Sequence, residues 1–195
     1  VSFQSSGTVL KLATTAGVME MKLKLSGRFN VYNVMAATAV CLAEGLSPSA
    51  IQQSLEAFPG VAGRFEVVTT GAEGEPLCIV DYAHTPDALD RALRAVRPFT
   101  QQSDGSASRL IVLFGCGGDR DRGKRPDMGR IAEALADVVI VTSDNPRTED
   151  PDRILDDIES GMARQDHVRI VDRRDAIAHA LQIATPHDVV VLAGK

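Results

Sequence analysis

Apolar residues recur along this chain first with a period of two, then of three to four, and finally as short unbroken runs. Val9, Leu10 and Leu12 precede a Thr-Thr-Ala-Gly turn, after which Met19, Met21, Leu23 and Leu25 alternate with polar residues. That alternation predicts a half-buried β-hairpin, because successive side chains of a strand point to opposite faces. From Asn30 the spacing becomes helical. Val31, Val34, Met35, Thr38 and Leu42 recur among alanines, and Gly45 is placed to end the helix. Ser47-Pro48 offers an N-cap and a first-turn proline for a second helix, with Ile51, Leu55 and Phe58 expected inward. The stretch FPGVAGRFE, Phe58 to Glu66, has the glycines and proline of a connector and predicts a domain boundary near Val61 to Arg64.

Beyond the connector, apolar runs alternate with amphipathic stretches. Strands are expected at Leu77–Val80, Leu110–Phe114, Val138–Val141, Val168–Val171 and Val189–Leu192. Helices are expected at Pro86–Val96, Met128–Leu135, Pro151–Met162 and Ala176–Ile183, the first with Leu89, Leu93 and Val96 on one face. This order predicts an α/β fold: a Rossmann-like, mostly parallel sheet flanked by helices on both faces. The polar segment QQSDGSAS, residues 101–108, reads as a mobile connector. Such sheets gather ligands outside the carboxyl ends of their strands. Four polar clusters fall there: Asp81 to His84, Gly115 to Arg125, Asp144 to Arg147, and Gly194-Lys195.

Composition narrows the classes. The chain has 195 residues, 44% hydrophobic and 24% charged, which suits one globular domain plus part of another. A formal net charge of -5 gives no electrostatic reason to expect nucleic acid or an anionic membrane as partner. No apolar stretch approaches the ~20 residues of a membrane span, and the start VSFQSSGTVLKL lacks the layout of a signal peptide. Cys41, Cys78 and Cys116 form no C-x-x-C pair, so neither a disulfide framework nor a zinc site is indicated, and a reducing cytoplasm fits best.

Several clusters carry candidate chemistry. In GCGGDRDRGKRP, glycines 115, 117 and 118 let backbone N–H groups approach a ligand, and Arg120, Arg122, Lys124 and Arg125 add cationic donors. The same loop also reads as a tight strand-to-helix turn with solvated charges, and it is not a Walker loop, since Gly123-Lys124 is followed by Arg125. Asp81 can accept from ribose hydroxyls or, like Thr85, cap the next helix; His84 can meet a flat base or serve the fold. Asn30 and Asn33, placed on a first helical turn, suit an adenine edge, although asparagine is also a common N-cap. Arg64, in a glycine-bounded connector, can reach a phosphate. In SDNPRTEDP, Asn-Pro makes a turn and Thr148, Glu149 and Asp150 lead acidically into a helix. The turn is expected to aim Asn145 and Arg147 at a cleft facing Arg120.

Taken in order, GRFNVYNVMAA, GRFE, VDYAHTPDAL, GCGGDRDRGKRPDM, TSDNPRTEDP and VVLAGK resemble the Mur ligases over essentially the whole chain, in particular their diaminopimelate-adding branch. The resemblance implies an ATP-dependent amide ligase of peptidoglycan precursor synthesis. ATP phosphorylates a carboxylate of UDP-N-acetylmuramoyl-L-Ala-D-Glu, the amine of meso-diaminopimelate attacks, and phosphate departs from a tetrahedral intermediate. Such charge development calls for Mg2+ and cationic donors, not an enzyme nucleophile. Asn30 and Asn33 match positions that meet adenine, and Arg64 matches an arginine near the terminal phosphate, the one catalytic candidate. Asp81 and His84 match nucleotide-facing residues; Arg120, Asn145, Arg147 and Gly194 match positions that hold the incoming amino acid. Residues 1–62 then correspond to the C-terminal part of a central ATP-binding domain and 63–195 to a C-terminal domain.

The departures are equally specific. No G-T-N-G-K-T phosphate loop, no UDP-binding domain and no carbamylated lysine is matched, and the family's Gly-His-Glu continuation is not present. The expectation is a piece that does not ligate alone, Mg2+ being held mainly by the missing upstream part, within a monomeric cytoplasmic enzyme. A lysine-adding relative, a folylpolyglutamate synthetase-like ligase and a non-catalytic amino-acid-binding module are the alternatives. Arg147 favours diaminopimelate, because lysine offers no distal carboxylate.

Overall fold

A computed structural model describes residues 1–4, 7–69, 74–101 and 108–194. The alternating N-terminal segment pairs as expected: β1 (Ser2–Gln4), β2 (Gly7–Thr14) and β3 (Gly17–Leu23) form an antiparallel three-stranded sheet. Its β2–β3 register closes on Thr14 and Gly17, where a φ of 114° suits glycine. Two helices follow, α1 (Arg28–Ala43) and α2 (Pro48–Ala57). Leu10, Met19, Met21 and Leu23 from the sheet, Val31 and Val34 from α1, and Ile51 from α2 make one apolar core. These residues belong to a compact unit, Val1–Phe65, and Glu66–Lys195 forms a second.

Two apolar residues of the helical patterns in the first unit do not point inward. Met35 is exposed on α1, and Phe58 is exposed beyond the end of α2. Phe58 precedes Pro59, whose ring disfavours helical backbone at the preceding residue, so Phe58 turns extended and leaves the apolar face. Helix α1 also starts at Arg28, capped by Gly27, which puts Asn33 in the second turn and not the first.

The second unit is built on a six-stranded sheet in the order β4-β5-β9-β6-β7-β8. Its strands are β4 (Glu66–Val67), β5 (Leu77–Asp81), β6 (Leu110–Phe114), β7 (Val138–Val141), β8 (Val168–Arg169) and β9 (Val189–Ala193). All neighbours run parallel except β4, which pairs antiparallel to β5. Between them lie α3 (Pro86–Val96), α4 (Lys124–Leu135), α5 (Pro151–Glu159) and α6 (Arg173–Ile183). Cys78, Val190, Ile111, Leu113 and Ile140 share the face packed by Ala176 and Ala180 of α6. The intervening row Ile79, Val191, Val112 and Val139 faces the other way, toward α3 and α4. Unbroken burial on both faces explains why these strands read as apolar runs and not as alternations.

Helix limits shift where side chains and turns compete with the apolar pattern. Helix α4 begins four residues before Met128, because Pro126 in a first turn has no N–H that needs a helical partner. Helix α5 stops at Glu159, short of Met162, as the chain turns through Gly161, where a Cβ would lie 1.9 Å from the Pro126 carbonyl oxygen. Apart from Gln101 and Ser108, the connector expected at 101–108 lies outside the described residues, as does Lys195.

Candidate functional site

The parallel strands β5, β9, β6 and β7 end side by side, so their following loops crowd one edge of the sheet. Glycine is required where they cross. A Cβ on Gly115 would meet the Thr142 carbonyl oxygen at 2.2 Å, and one on Gly118 would meet that of Pro146 at 1.9 Å. These two glycines therefore serve loop-against-loop packing. Gly117 differs: its nearest neighbour is the Arg147 guanidinium, at 3.0 Å from a built Cβ.

The glycine loop and the DNPR turn are laced together. Gly118 N–H donates to the Asn145 carbonyl at 2.8 Å, and Arg147 Nη1 donates to the Gly118 carbonyl at 2.6 Å. Asp119 accepts from the Thr148 N–H and hydroxyl, which hold its carboxyl below the usual range. Glu149 accepts from the Asp119 N–H and from Arg125. Asp119 and Arg147 both adopt left-handed backbone, each at φ 51°. For non-glycine residues that conformation costs on the order of 1–3 kcal/mol, and the surrounding bonds hold it in place.

Arg125 is the buried centre of this arrangement. Its side chain is 0% exposed and reaches Glu149 at 2.9 Å, Asp157 at 2.8 Å and the Gly117 carbonyl at 3.2 Å. Reading it as a ligand-facing donor is therefore wrong. A fully buried guanidinium needs carboxylates around it, and these acids come from the DNPR segment and α5. Hydrogen bonds from Arg125 first, then from the Asp119 N–H, hold Glu149 down at about 2. Arg122 likewise turns to Glu149, at 2.9 Å.

What remains open is a cleft of about 410 Å³ lined by Tyr82, His84, Arg120, Lys124, Asn145 and Arg147, with Asp121 and Asp144 among its other walls. Four expected site residues (His84, Arg120, Asn145 and Arg147) thus share one cavity. Lys124 Nζ donates to the His84 carbonyl at 2.7 Å, tying α4 to the loop after β5, and the Tyr82 ring meets the His84 imidazole edge-on at 4.6 Å. Asp81 accepts from the Ala83 N–H at 2.9 Å, and Thr85 caps α3 by accepting from the Ala88 N–H. Gly194, at φ 77°, donates to the Asp81 carbonyl at 3.0 Å. Three cations and two carboxylates around one cavity suit a ligand that carries both carboxylate and ammonium groups.

The remaining candidates lie in the first unit. Asn30 Nδ2 donates to the Ser26 carbonyl at 2.8 Å, and Asn33 Nδ2 donates to Asn30 Oδ1 at 3.1 Å. Arg64 is exposed in a turn closed by its own N–H to the Val61 carbonyl. Among the described residues no group of three or more His, Cys, Asp or Glu side chains is placed to hold a metal ion. Sequence reasoning did not single out Tyr82, Asp121 or the positioning role of Lys124; the pattern YAHT gave the only signal for Tyr82.

A parallel α/β sheet with an amphoteric cleft at its strand ends belongs to the class of open α/β domains that seat small molecules at that edge. Within that class, the chain belongs to the Mur ligase family: the family described as "Mur ligase, glutamate ligase domain" matches residues 63–195. The UDP-N-acetylmuramoyl-L-alanyl-D-glutamate–2,6-diaminopimelate ligase of Thermosynechococcus vestitus is 48% identical over 100% of this chain and 38% of its own length. The protein of the same name from Pseudomonas putida is 47% identical over 99% of this chain and 38% of its own. The chain thus spans under two-fifths of the curated relatives it matches. A solved structure bearing that enzyme name superposes with TM-score 0.66 at 39% identity, covering 99% of this chain and 38% of that one. A Mycobacterium tuberculosis folylpolyglutamate synthase shares the fold, with TM-score 0.75 at 21% identity, covering 100% of this chain and 44% of that one.

Proposed function

We propose that this chain supplies the amino-acid-receiving part of an ATP-dependent ligase that joins meso-diaminopimelate to UDP-N-acetylmuramoyl-L-Ala-D-Glu. The observation that carries this reading is the convergence of Arg120, Asn145 and Arg147 on one cleft that also holds Asp121 and Asp144. Diaminopimelate has a carboxylate and an ammonium at each end. Arg147, held by one amino group at the Gly118 carbonyl, keeps further donors for the distal carboxylate. Arg120 and Asn145 receive the other end, and Gly194 closes the seat from β9. Lysine would leave the Arg147 donors unmatched, which disfavours the lysine-adding alternative.

In the same reading, residues 1–62 end a central ATP-binding domain and 63–195 form the C-terminal domain. Asn30 and Asn33 meet adenine, Arg64 meets the terminal phosphate, and Asp81 and His84 face the nucleotide. The amide bond forms when the amine attacks an acyl phosphate made from ATP. What this chain's own cleft contributes is seating: fixed cations neutralise the amino acid's carboxylates and hold its amine in one orientation. Because the described residues offer no metal cluster, no step through Mg2+ is assigned to them. The parent enzyme is proposed to act as a cytoplasmic monomer; among the described residues no helix is long and apolar enough to cross a membrane.

Calorimetry of the chain with meso-diaminopimelate, lysine and glutamate tests the specificity, and ligation by the full-length enzyme with each amino acid tests the activity. The expected order is diaminopimelate well ahead of both others. Equal use of lysine would sink the assignment of Arg147, and glutamate preference would favour the folylpolyglutamate synthetase-like alternative.

A further inference from the structure

Arg173 opens α6 in a position that a stability argument does not favour. A cation at a helix N-terminus opposes the helix dipole. The neighbouring acid is already occupied: Asp172 caps α6 by accepting from the Arg174 N–H at 2.8 Å and the Asp175 N–H at 3.0 Å. Among the described residues no carboxylate lies within ion-pair distance of Arg173, and its Nη1 is buried without a hydrogen-bond partner. Burial lowers the pKa of this guanidinium, and the charge of Asp144 acts in the opposite direction. An apolar side chain of similar volume would serve the packing as well or better.

The same side chain is well placed for the cleft. Its Nη2 donates to the Ala193 carbonyl at 3.0 Å, at the last residue of β9. The next residue, Gly194, is bonded to Asp81, and its left-handed backbone lies against the carbonyls of Gly115 and Ala83. Arg173 therefore grips the strand end that joins the loops after β5 and β6. We propose that Arg173 is a positioning residue of the cleft, fixing the Ala193–Gly194 strand end against which the incoming amino acid is seated. The amino-acid part of this proposal rests on the ligase reading above; the strand-end part does not.

Two variants and three readouts separate these parts. In this chain, Arg173→Met should raise amide hydrogen exchange at Gly194 about tenfold, the loss of roughly one charge-assisted hydrogen bond. Exchange in β6 and β7 should stay unchanged, and the thermal midpoint should move by no more than about 2 °C. Arg173→Lys, which retains the charge and a donor group, should restore part of the Gly194 protection. In the full-length ligase, Arg173→Met should raise KM for diaminopimelate about tenfold and leave that for ATP within about twofold. Unchanged exchange at Gly194 overturns the proposal, as does a large fall in thermal midpoint with faster exchange across the whole sheet, which would mark Arg173 as structural. An unchanged KM for diaminopimelate with faster Gly194 exchange overturns the seating role. If the wild-type enzyme does not use diaminopimelate at all, the ligase reading fails, and the exchange result alone decides whether Arg173 fixes the strand end.

Discussion

The two ends of the parallel sheet are built on opposite plans. At the amino ends, acids close onto backbone donors. Asp188, 1% exposed just before β9, accepts from the N–H groups of Arg109 at 2.7 Å and Thr185 at 2.8 Å, and from the Arg109 guanidinium at 2.6 Å. Asp137, just before β7, accepts from the Leu110 N–H at 2.7 Å and pairs with Arg97. Each acid ties the start of its strand to the start of β6. At the carboxyl ends, Asp119 and Arg147 are held left-handed, and Arg173 Nη1 is buried without a partner among the described residues. One end spends its polar groups on stability. The other retains strain and unmatched donors, the pattern expected where a fold serves a ligand.

If this contrast is sound, removing an acid at the amino end should hurt stability and spare binding. Asp188→Ala leaves two backbone donors and a guanidinium without their acceptor, at a cost of about 3–5 kcal/mol. Urea unfolding should show that loss, with diaminopimelate affinity per folded molecule unchanged. Arg147→Ala should do the reverse. One charge-assisted carboxylate contact is worth about 1.5–3 kcal/mol, so KM for diaminopimelate in the full-length enzyme should rise about tenfold to a hundredfold. The KM for ATP should stay within about twofold, and unfolding should lose no more than about 1–2 kcal/mol, the worth of the Arg147–Gly118 bond and less than the Asp188 loss. Equal effects on both KM values would make Arg147 a structural arginine and erase the contrast.

Acid titration sharpens the comparison further. Burial pushes the Asp188 carboxyl up from 3.8, but hydrogen bonds from Arg109 and from backbone N–H groups outweigh burial and bring it to about 2. A carboxyl lowered on folding stabilises the fold in full above its unfolded value. That contribution is lost as pH falls through the folded one. The amino end should therefore lose roughly 2 kcal/mol between about pH 4 and pH 2. Unfolding midpoints measured across that range should fall, and less steeply in Asp188→Asn. Glu149, held to about 2 by Arg125, bends the curve in the same direction, so a slope unchanged by Asp188→Asn would assign the acid sensitivity to the functional end.

Much of this was legible in the sequence, for a physical reason. Strands buried on both faces must be apolar throughout, so Leu110–Phe114 and Val138–Val141 could be read to the residue. His84, Arg120, Asn145 and Arg147 could be placed in one cleft because parallel strands present their following loops at a common edge. Burial of single charges was not legible. Arg120, Arg122, Lys124 and Arg125 look alike as letters, yet only Arg125 meets two carboxylates supplied from residues 149 and 157. Those partners are distant in sequence and adjacent only through the packing of α4 on α5. Phe58 was misjudged because a helical period continues on paper past a residue whose neighbour, Pro59, ends the helix.

The smallest test asks whether the boundary between the two plans runs between residues or between the ends themselves. Thr85 stands on the functional side and lines the cleft, yet its hydroxyl is used locally, accepting from the Ala88 N–H at 3.3 Å at the start of α3. By chemistry it is a helix cap, a stability device set inside the site. Thr85→Ala should cost about 1 kcal/mol in unfolding, and Thr85→Ser should recover most of it. Affinity for diaminopimelate should be unchanged in both. If Thr85→Ala instead weakens binding more than stability, the hydroxyl is a ligand contact. The contrast would then divide the whole carboxyl end from the amino end, and not individual side chains within it.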